Sequence, residues 1–378
     1  MPSHGTVLIA GAGIGGLSLG CALQRAGIPF EIFERAPSLG TAGAGIVMQP
    51  AAMLALRTLG LDAAVARVGH ELKCGTGKTA SGTVLHSTRL DEFGAPSIAL
   101  HRARLQATLL AAIDPARIHT GRELLSYEQD EAAVHARFND GSRASGALLI
   151  GADGLHSAVR RQLLGDTPLR YAGYTTWRGV APVSGLSPAH EAMEIMGRGL
   201  RFGIVPIADA ESYWFAVANA PAGGSDPDHR ATVLERFVGF GEPVRALVEA
   251  SPAERILRTD IHDRKPVSKW SEGRVCLLGD AAHPTTPNLG QGGCMAIEDA
   301  VVLAHALAKQ PRLADALHTY EQKRVARTAK IVNASWQFGR VAQLEGRFAT
   351  WLRDLALRAT PASQIRARLR ENAQFSLD

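Results

Sequence analysis

The first 34 residues contain the feature that most restricts the fold of this chain. The apolar run Thr6–Ala10 (TVLIA) leads into a glycine-rich turn, Gly11–Gly16. A helix-forming segment of small residues follows, and Phe30–Glu34 (FEIFE) again has the composition of a strand. A short apolar run without alternation is typical of a parallel strand that is buried on both faces. These residues therefore predict a βαβ unit that opens a parallel α/β sheet.

The glycine turn fits the pattern GxGxxG directly after a strand and before a helix. Gly11 would allow the tight turn, Gly13 the approach of backbone to a pyrophosphate, and Gly16 close packing of helix on strand. The helix N-terminus adds free N–H groups and a positive dipole. Glu34 ends the second strand, where its carboxylate can accept hydrogen bonds from ribose hydroxyls, and Arg35 could lie over an adenine face. We therefore predict a dinucleotide site; the alternative is a structural turn beside a surface Glu–Arg pair.

Two more apolar runs, Ala147–Ile150 (ALLI) and Val275–Leu278 (VCLL), have the composition of inner strands of the same sheet. The first leads into Gly-Ala-Asp153-Gly and then into a helix-like segment. Asp153 could cap that helix, or it could bind a hydroxyl group of a cofactor. Both interpretations stay open at the level of sequence.

The second run leads into Gly279–Ala300, which combines two prolines, four glycines and the carboxylate of Asp280 at a strand-to-helix junction. Glycines at a helix start let backbone approach the edge of a flavin ring, and the helix dipole favours the negative charge of reduced flavin. Asp280 would hold a ribitol hydroxyl, and Pro284 and Pro287 would stiffen the loop over the ring face. The segment favours bound FAD, with a nicotinamide nucleotide visiting only transiently.

Between these pieces, Arg170–Val183, Glu194–Pro206 and Ser212–Asn219 are rich in aromatic and β-branched residues and are separated by turn signals. They predict an antiparallel sheet in a second domain that is inserted into the first. From about Leu313 the chain is expected to be helical. The predicted boundaries are 1–70, 101–166 and 266–310 for the FAD-binding domain, 71–100 and 167–265 for the substrate-binding domain, and 311–378 for a C-terminal helical region.

Composition and isolated motifs disfavour several other functions. Lys and Arg exceed Asp and Glu by five, which favours acidic ligands, but no basic run has interleaved aromatic residues as nucleic-acid binding would require. The four scattered cysteines form no CxxC pair and indicate reduced thiols in a cytoplasm. Asp280 and His283 have a D-x-x-H spacing without a third nearby ligand, so we expect no metal. Ser18 lies in a GxSxG pattern but would fall inside a helix, which disfavours a hydrolase.

The motifs GAGIGG, GADG and GDAAH…GQGG occur in this order, and together they resemble the single-component FAD-dependent aromatic monooxygenases with the p-hydroxybenzoate hydroxylase fold. The resemblance covers essentially the whole chain. It implies a Rossmann-like FAD-binding domain interleaved with a smaller domain. It also implies an arginine in an R-x-x-L pattern that contacts FAD, which Arg102 matches, with Arg104 as the alternative. The implied FAD contacts are Gly11, Gly13, Gly15, Gly16, Glu34, Arg35, Gly45, Val47, Arg102, Leu124, Asp153, Asp280, Gly290, Gln291, Gly292, Gly293 and Cys294.

Two subgroups of that family are the most similar. The final third of the chain resembles alkylquinolone 3-hydroxylases, and the stretches RYAGYTTWRG and IHD resemble urate hydroxylases. In the latter an arginine and a tyrosine engage the substrate, and Arg201 and Tyr213 fall on those positions, with Tyr213 as the hydrogen-bonding neighbour of Arg201. Pro287 would lie over the ring. The alternative is a solvated Arg201 and a Tyr213 that only packs.

The resemblance implies a reaction in which NADH or NADPH reduces FAD, O2 forms a C4a-hydroperoxide, and one oxygen atom passes to an aromatic or heteroaromatic substrate. Alternatives are an FAD-dependent epoxidase or reductase of an isoprenoid and a catalytically inert flavoprotein that binds a planar ligand. A monomer or homodimer is expected. The basic, amphipathic C-terminal segments RFATWLRDLALR and QIRARLRE could touch a membrane, but such helices more commonly pack on their own domain.

Overall fold

The computed structural model describes residues 5–40, 43–183, 185–186 and 188–377. Its first sheet contains the N-terminal strand at its centre. The strands of this sheet are β1 (Val7–Ala10), β2 (Phe30–Glu34), β8 (Ile118–Thr120), β12 (Leu148–Gly151), β18 (Ser271–Glu272) and β19 (Val275–Leu277). Their order is β18-β19-β12-β1-β2-β8, and every pair is parallel except the edge pair β18-β19. The four predicted inner strands thus all lie in one sheet, as the sequence indicated.

Burial on both faces explains why these strands lack alternation. Every residue of β1, β12 and β19 is buried. Helix α1 (Ile14–Ala26) packs on α8 (Gly292–Lys309), and the small sheet of residues 124–146 packs against β1 and β12. Ser18 lies inside α1 and is buried, so it is not placed on the turn that a serine nucleophile requires. The helices associated with this domain are α1 (Ile14–Ala26), α2 (Pro50–Leu59), α3 (Asp62–Val68), α4 (Arg102–Leu110), α5 (Ala158–Leu164) and α8 (Gly292–Lys309).

The strands of the second sheet are β5 (Cys74–Thr79), β6 (Val84–Arg89), β13 (Arg170–Ala181), β14 (Glu191–Met196), β15 (Leu200–Ala208), β16 (Glu211–Asn219) and β17 (Leu257–Asp263). Their order in the sheet is β17-β13-β16-β15-β14-β5-β6. One face packs Trp177, Phe202 and Trp214 against helices α6 (His229–Arg236) and α7 (Val244–Ala250). The predicted second domain with an antiparallel sheet is confirmed, although β14 and β5 pair in parallel.

One predicted strand is wrong. The segment Glu194–Pro206 was expected to be continuous, but it contains the end of β14 and most of β15. The residues Gly197-Arg-Gly199 reverse the chain between them, and Gly199 has a φ of +65°, which a glycine adopts without strain. A hairpin at this point brings the side chains of β14 next to those of β15 on one face.

The fold also contains two sheets of three strands each. Strands β3 (Gly45–Met48), β4 (His70–Leu72) and β7 (Ser97–His101) form one, in the order β3-β7-β4. Strands β9 (Leu124–Gln129), β10 (Val134–Phe138) and β11 (Arg143–Gly146) form the other. Part of segment 71–100 therefore joins β3 rather than the second sheet, and the exact domain boundaries stay a prediction.

The C-terminal region is helical from Leu313, as predicted. It comprises α9 (Leu313–Ala342), α10 (Arg347–Ala359) and α11 (Ala362–Ala373). Short 3-10 turns occur at Pro115–Arg117, Val238–Phe240, Ala253–Arg255, Gly279–Ala281 and Pro287–Leu289. Within the described ranges, no helix is both long enough and apolar enough to cross a membrane.

Candidate active site

The four glycines of the N-terminal turn differ in what surrounds them. Gly11 has a φ of +103°, and a Cβ there would lie 2.5 Å from the carbonyl oxygen of Ala152. A Cβ on Gly16 would collide with the carbonyl oxygen of Gly11, whereas a Cβ on Gly13 would meet no atom within 4 Å. The turn and the packing therefore need Gly11 and Gly16, while Gly13 borders open space that a ligand can approach. Gly15 packs on the third segment, because its Cβ would lie 2.6 Å from Leu278.

A cleft of about 260 Å³ opens beside this turn. Glu34 stands at its edge and accepts hydrogen bonds from the backbone N–H groups of Ala12, at 2.8 Å, and Ala36, at 2.9 Å. These bonds hold the carboxylate against the glycine turn, where the sequence predicted the ribose. The sequence-predicted residues that line the cleft are Gly11, Gly13, Glu34, Arg35, Arg102, Leu124 and Asp153. The fold thus brings seven of the predicted cofactor residues to one cleft.

Asp153 has both of its predicted roles available. Its Oδ2 accepts hydrogen bonds from the N–H groups of Ala158, at 2.8 Å, and Val159, at 3.2 Å, at the start of α5, where Ser157 is the N-cap. Its Oδ1 is buried and has no hydrogen-bond partner among the described residues. Burial raises the pKa of this carboxyl, against the lowering effect of Ser157 and the helix N–H groups. A buried, unpaired oxygen in the wall of the cleft fits a hydroxyl donor of a dinucleotide.

Asp280 follows β19 on a 3-10 turn and lies next to the start of α8. A Cβ on Gly292, the first residue of α8, would be 3.8 Å from the Asp280 carboxylate. Asp280 is exposed to solvent. Partial desolvation by the surrounding protein raises the pKa of its carboxyl, against the lowering effects of His283 and Arg102. The N-cap of α8, Gln291, makes no side-chain capping bond. A helix N-terminus of this kind stabilises a nearby negative charge.

The rest of the predicted flavin segment packs on β3. Cys294 donates through Sγ to the carbonyl oxygen of Val47 at 3.4 Å, and Gln291 bonds the side chain of Gln49. A Cβ on Gly293 would be 2.8 Å from Ile46. Gly290, with a φ of +63°, ends the 3-10 turn that Pro287 begins. The side chains of Gln291 and Cys294 are therefore engaged by β3, and contact with a cofactor would come from their backbone.

Beneath this segment lies a buried ionic cluster that the sequence did not reveal. Asp299 accepts from Arg324 Nε at 2.6 Å and from the N–H of Gly279 at 3.1 Å, and it bonds His283 Nε2 at 2.5 Å. Glu298 accepts from Arg324 at 2.7 Å. Burial would raise the pKa of Asp299, but His283 and Arg324 outweigh that effect and lower it. The histidine of the D-x-x-H spacing, His283, thus bonds Asp299 of α8. Asp299 also bonds the backbone N–H of Gly279, directly before Asp280.

Arg160 connects the segment around Asp153 to the segment around Asp280 by hydrogen bonds. This residue is buried on α5, and it donates to the carbonyl oxygens of Ala281 and Ala282, both at 2.8 Å. Sequence reasoning assigned no role to Arg160, which falls in the helix-like segment after Asp153. Its two bonds hold the Asp280 turn against the Asp153 turn, and Gly11 packs on Ala152, so the three glycine-rich turns lie next to one another. We call this region the cofactor groove. No group of three or more metal-ligating side chains was found in the ranges that the structure describes.

On the second sheet, Arg201 is 2% exposed and donates to three partners. These are Gln343 Oε1 at 2.8 Å, Asn288 Oδ1 at 2.7 Å and Glu194 Oε1 at 3.1 Å. The interpretation of Arg201 as a solvated strand residue is therefore wrong. Its predicted contact with Tyr213 is also not made, because Arg201 pairs with Val217 while Tyr213 pairs four residues further along β15. The sheet register separates the two side chains.

Tyr213 instead contacts the first domain. A Cβ on Gly45 would collide with its ring, so the β3 backbone lies directly against Tyr213. Phe215 is the next residue on the same face and packs equally closely over Gly203. Burial raises the pKa of Tyr213 to about 12, against the lowering effect of Arg178. Tyr213 is therefore a neutral hydroxyl at the junction between the two sheets.

His86 is a polar residue of this face that the sequence gave no reason to select. It lies on β6 opposite Gly77, where a Cβ would collide with its ring. Its Nδ1 is buried without a hydrogen-bond partner in the described part of the chain. Burial lowers the pKa of His86, and Glu194 opposes that shift. Only the pairing of β6, β5 and β14 brings His86 near Glu194 and Arg201.

Comparison with known proteins agrees with this geometry. A family model described as an FAD binding domain matches residues 4–335. Aurachin C monooxygenase/isomerase of Stigmatella aurantiaca is 48% identical over 98% of each chain, and 2-heptyl-3-hydroxy-4(1H)-quinolone synthase of Pseudomonas aeruginosa is 35% identical over 96% of each. The crystal structure of Klebsiella pneumoniae HpxO complexed with FAD and uric acid aligns with a TM-score of 0.92 at 32% identity, over 99% of this chain and 97% of that one.

These matches extend over both domains and the C-terminal helices. The resemblance drawn from the three motifs, the FAD cofactor and the assignment as an oxidoreductase are confirmed. The unpaired Asp153 oxygen and the open space at Gly13 are what a bound dinucleotide requires. The chain belongs to the FAD-binding family of flavin-dependent monooxygenases.

Proposed function

We propose that this enzyme transfers one oxygen atom of O2 to a planar nitrogen heterocycle of the 4-quinolone type, at the expense of NADH or NADPH. The observation that carries the proposal is the pair of aromatic rings that the second sheet presents on the face that meets β3. Strand alternation puts Tyr213, Phe215 and Val217 on that face together with Gly203. Aromatic rings packed closely over glycine backbone form a surface that suits a planar ring.

The charges on this face support a weakly acidic or neutral substrate. All three guanidinium nitrogens of Arg201 donate to protein acceptors, one of which is the carboxylate of Glu194. A benzoate-like anion would have to displace those acceptors to reach the cation, and breaking such bonds costs free energy. A heterocycle with a polar edge and an apolar remainder needs no such exchange. Two relatives named for aurachin C and for a 4(1H)-quinolone support the same choice.

The residues of the chain have separate tasks in this reaction. When bound, FAD supplies acceptance of a hydride and activation of O2. Gly11, Gly13 and Glu34 would hold its adenosine and pyrophosphate portion, and Asp280 a ribitol hydroxyl. The N-terminus of α8 would stabilise negative charge on the ring. Tyr213 and its face would orient the substrate and exclude water.

The test is a ligand panel on the purified holoenzyme: 2-alkyl-4-quinolones, urate, phenols and isoprenoids. NADH and NADPH oxidation is followed with each ligand, and product mass is measured under labelled O2. We expect a quinolone to stimulate oxidation and to gain one labelled oxygen atom. Stimulation only by urate or a phenol would refute the substrate class. Oxygenation of an isoprenoid would favour the epoxidase alternative, and no stimulated oxidation by any ligand would favour an inert binding protein.

The same assay also tests a second candidate function, in which oxygen transfer is followed by rearrangement of the product. The relative that shares 48% identity is named a monooxygenase/isomerase. Oxygen transfer here could therefore be followed by rearrangement of the heterocycle. A product with one added oxygen whose carbon skeleton differs from that of simple hydroxylation would establish this second step, and NMR of the isolated product distinguishes the two.

We further propose a cytoplasmic location. The four cysteines, Cys21, Cys74, Cys276 and Cys294, are all free thiols. Free, mostly buried thiols are typical of a reducing compartment. Fractionation of cells that express the tagged chain would test this location.

A further inference from the structure

Helix α10 has its apolar side turned outward. Its residues Phe348, Trp351, Leu352 and Leu355 follow the spacing i, i+3, i+4, i+7, which defines one side of a helix. Their exposed fractions are 74%, 58%, 50% and 46%. The buried residues of α10 are instead the polar Thr350 and Arg353. A helix that packed on its own domain for stability would show the opposite arrangement.

Hydrogen bonds on the inner side fix this orientation. Arg353 is buried and donates through Nη1 to the carbonyl oxygens of Gly197 and Ala342, both at 3.0 Å, and it pairs with Asp354. Rotating the helix to bury Trp351 would break these bonds and leave a buried charge without partners, which is strongly unfavourable. The fold therefore holds the apolar side of α10 in an exposed position.

We propose that this side of α10 inserts into the interface of a bilayer that contains anionic lipids. Arg347 lies one turn before Trp351, and Arg358 lies one turn after Leu355, so a cation stands at each end of the apolar stripe. Residues 347–373 contain six arginines and two acids. An amphipathic helix with aromatic and leucine residues on one side and arginines around them is the type that lies in a membrane surface.

A second copy of the chain fits this stripe less well. Four partly exposed side chains offer on the order of 400 Å² of apolar surface, whereas each partner of a stable dimer typically contributes about 800 Å². The surrounding arginines would also face each other across a two-fold interface. Anionic headgroups remove that repulsion, which is why the lipid surface is the preferred partner.

The position of α10 connects the proposed membrane contact to the candidate substrate face. Arg353 anchors the helix to the turn between β14 and β15, and the preceding Gln343 bonds Arg201 on the candidate substrate face. Docking of α10 would therefore bring the edge of the substrate sheet to the lipid surface. This consequence rests on the proposed function, since only a lipophilic substrate would be collected there. The docking itself does not depend on it.

The experiment uses purified holoenzyme and vesicles of phosphatidylcholine with or without about 30% phosphatidylglycerol. The variant Phe348→Ser, Leu352→Ser, Leu355→Ser removes three apolar groups and keeps Trp351 as a fluorescence reporter. The matched control, Val238→Ser with Leu125→Ser, changes two other exposed apolar residues, which are 81% and 50% exposed. A variant with Arg347→Gln and Arg358→Gln tests the charge.

We expect the wild type and the control to co-sediment with anionic vesicles and to show a blue shift of tryptophan emission. The triple variant should bind at least about ten-fold more weakly, and the arginine variant should lose the preference for anionic lipid, with FAD content unchanged in both. Absence of binding to anionic vesicles would overturn the proposal. So would binding that the triple variant retains, or a wild-type dimer that the triple variant converts to monomer without any vesicle binding. Activity on a detergent-solubilised substrate tests the proposed function separately.

Discussion

Arg324 and Arg201 are equally buried, each 2% exposed, but their charges are neutralised in different ways. Arg324 bonds two carboxylates, Glu298 and Asp299, whose side chains are fully buried. Arg201 bonds two neutral amides and one carboxylate, Glu194, whose side chain is 25% exposed. In the first arrangement, losing the cation would strongly reduce the free energy of unfolding, because both carboxylates are shielded from water. In the second arrangement the carboxylate is partly exposed to water, so losing the cation costs less free energy.

This difference matches the tasks of the two regions. The cluster around Arg324 holds the N–H of Gly279 and hence the backbone that precedes Asp280, so rigidity there preserves the cofactor groove. The cluster around Arg201 joins β14, β15, the Asn288 turn and the end of α9 through the side chains of Glu194, Asn288 and Gln343. We infer that the cofactor region is built to be invariant and the substrate region to adapt.

The largest effect should follow from Arg324→Met. Removing the cation takes the Arg324 charge away from two buried carboxylates and leaves Glu298 with Arg327 and Asp299 with His283. Breaking a buried ion pair of this kind costs about 3–5 kcal/mol of the free energy of unfolding. Urea denaturation measures the loss. Arg340→Met, on the exposed side of the same helix, is the control and should change stability by less than about 0.5 kcal/mol. Similar losses of stability in both variants would contradict the proposed rigidity of the cluster around Arg324.

Asp280→Ala should come next, with an effect on the cofactor and little on the fold. We expect FAD affinity to fall by at least about ten-fold, equivalent to about 1.4 kcal/mol, because a ribitol hydroxyl loses its acceptor. The ratio of flavin to protein absorbance and the far-ultraviolet circular dichroism measure the two properties. Asp209→Ala changes a fully exposed aspartate and is the control. Full flavin occupancy in Asp280→Ala would contradict the assignment.

Arg201→Gln should have a smaller effect on stability and should spare the cofactor. We expect the KM for the heterocycle to rise by about ten-fold and the free energy of unfolding to fall by about 1–2 kcal/mol, because the remaining Glu194 can still reach water. FAD content should stay normal. Arg201→Lys should not restore KM, since an ammonium cannot reproduce the guanidinium fork. Unchanged kinetics in Arg201→Gln would remove this residue from the substrate site.

The smallest effect concerns pH. Burial lowers the pKa of His86 below its ordinary value of 6.5, so the folded protein holds the neutral ring while the unfolded chain takes up a proton. Stability is therefore unaffected by His86 above about pH 6.5 and falls as the pH drops below it. We expect His86→Gln to lose less stability than the wild type between about pH 7.5 and 5.5 in urea titrations. His318→Gln, at an exposed histidine of α9, is the control and should behave as the wild type.

The cofactor groove was largely predictable because backbone geometry governs it. Gly11 and Gly16 cannot carry a side chain, and such constraints show in the sequence itself. The substrate face was predicted poorly for the opposite reason. Gln343 reaches Arg201 from 142 positions away, and no local pattern marks either residue for the other. The Gly199 hairpin, which aligns Glu194 with this cluster, was missed because the flanking residues favour strand on both sides.

The sequence by itself determined the βαβ start, the three glycine-rich turns and the FAD chemistry, since each depends on residues close together in the chain. Tertiary structure alone decided which carboxylates neutralise Arg324, which partners hold Arg201, and how far Tyr213 lies from it. It also decided that the apolar side of α10 points to solvent. Helical periodicity shows that such a side exists, but its direction follows from the bonds of Arg353 to Gly197 and Ala342. Contacts between distant segments set these features, because burial and pairing are properties of the assembled fold.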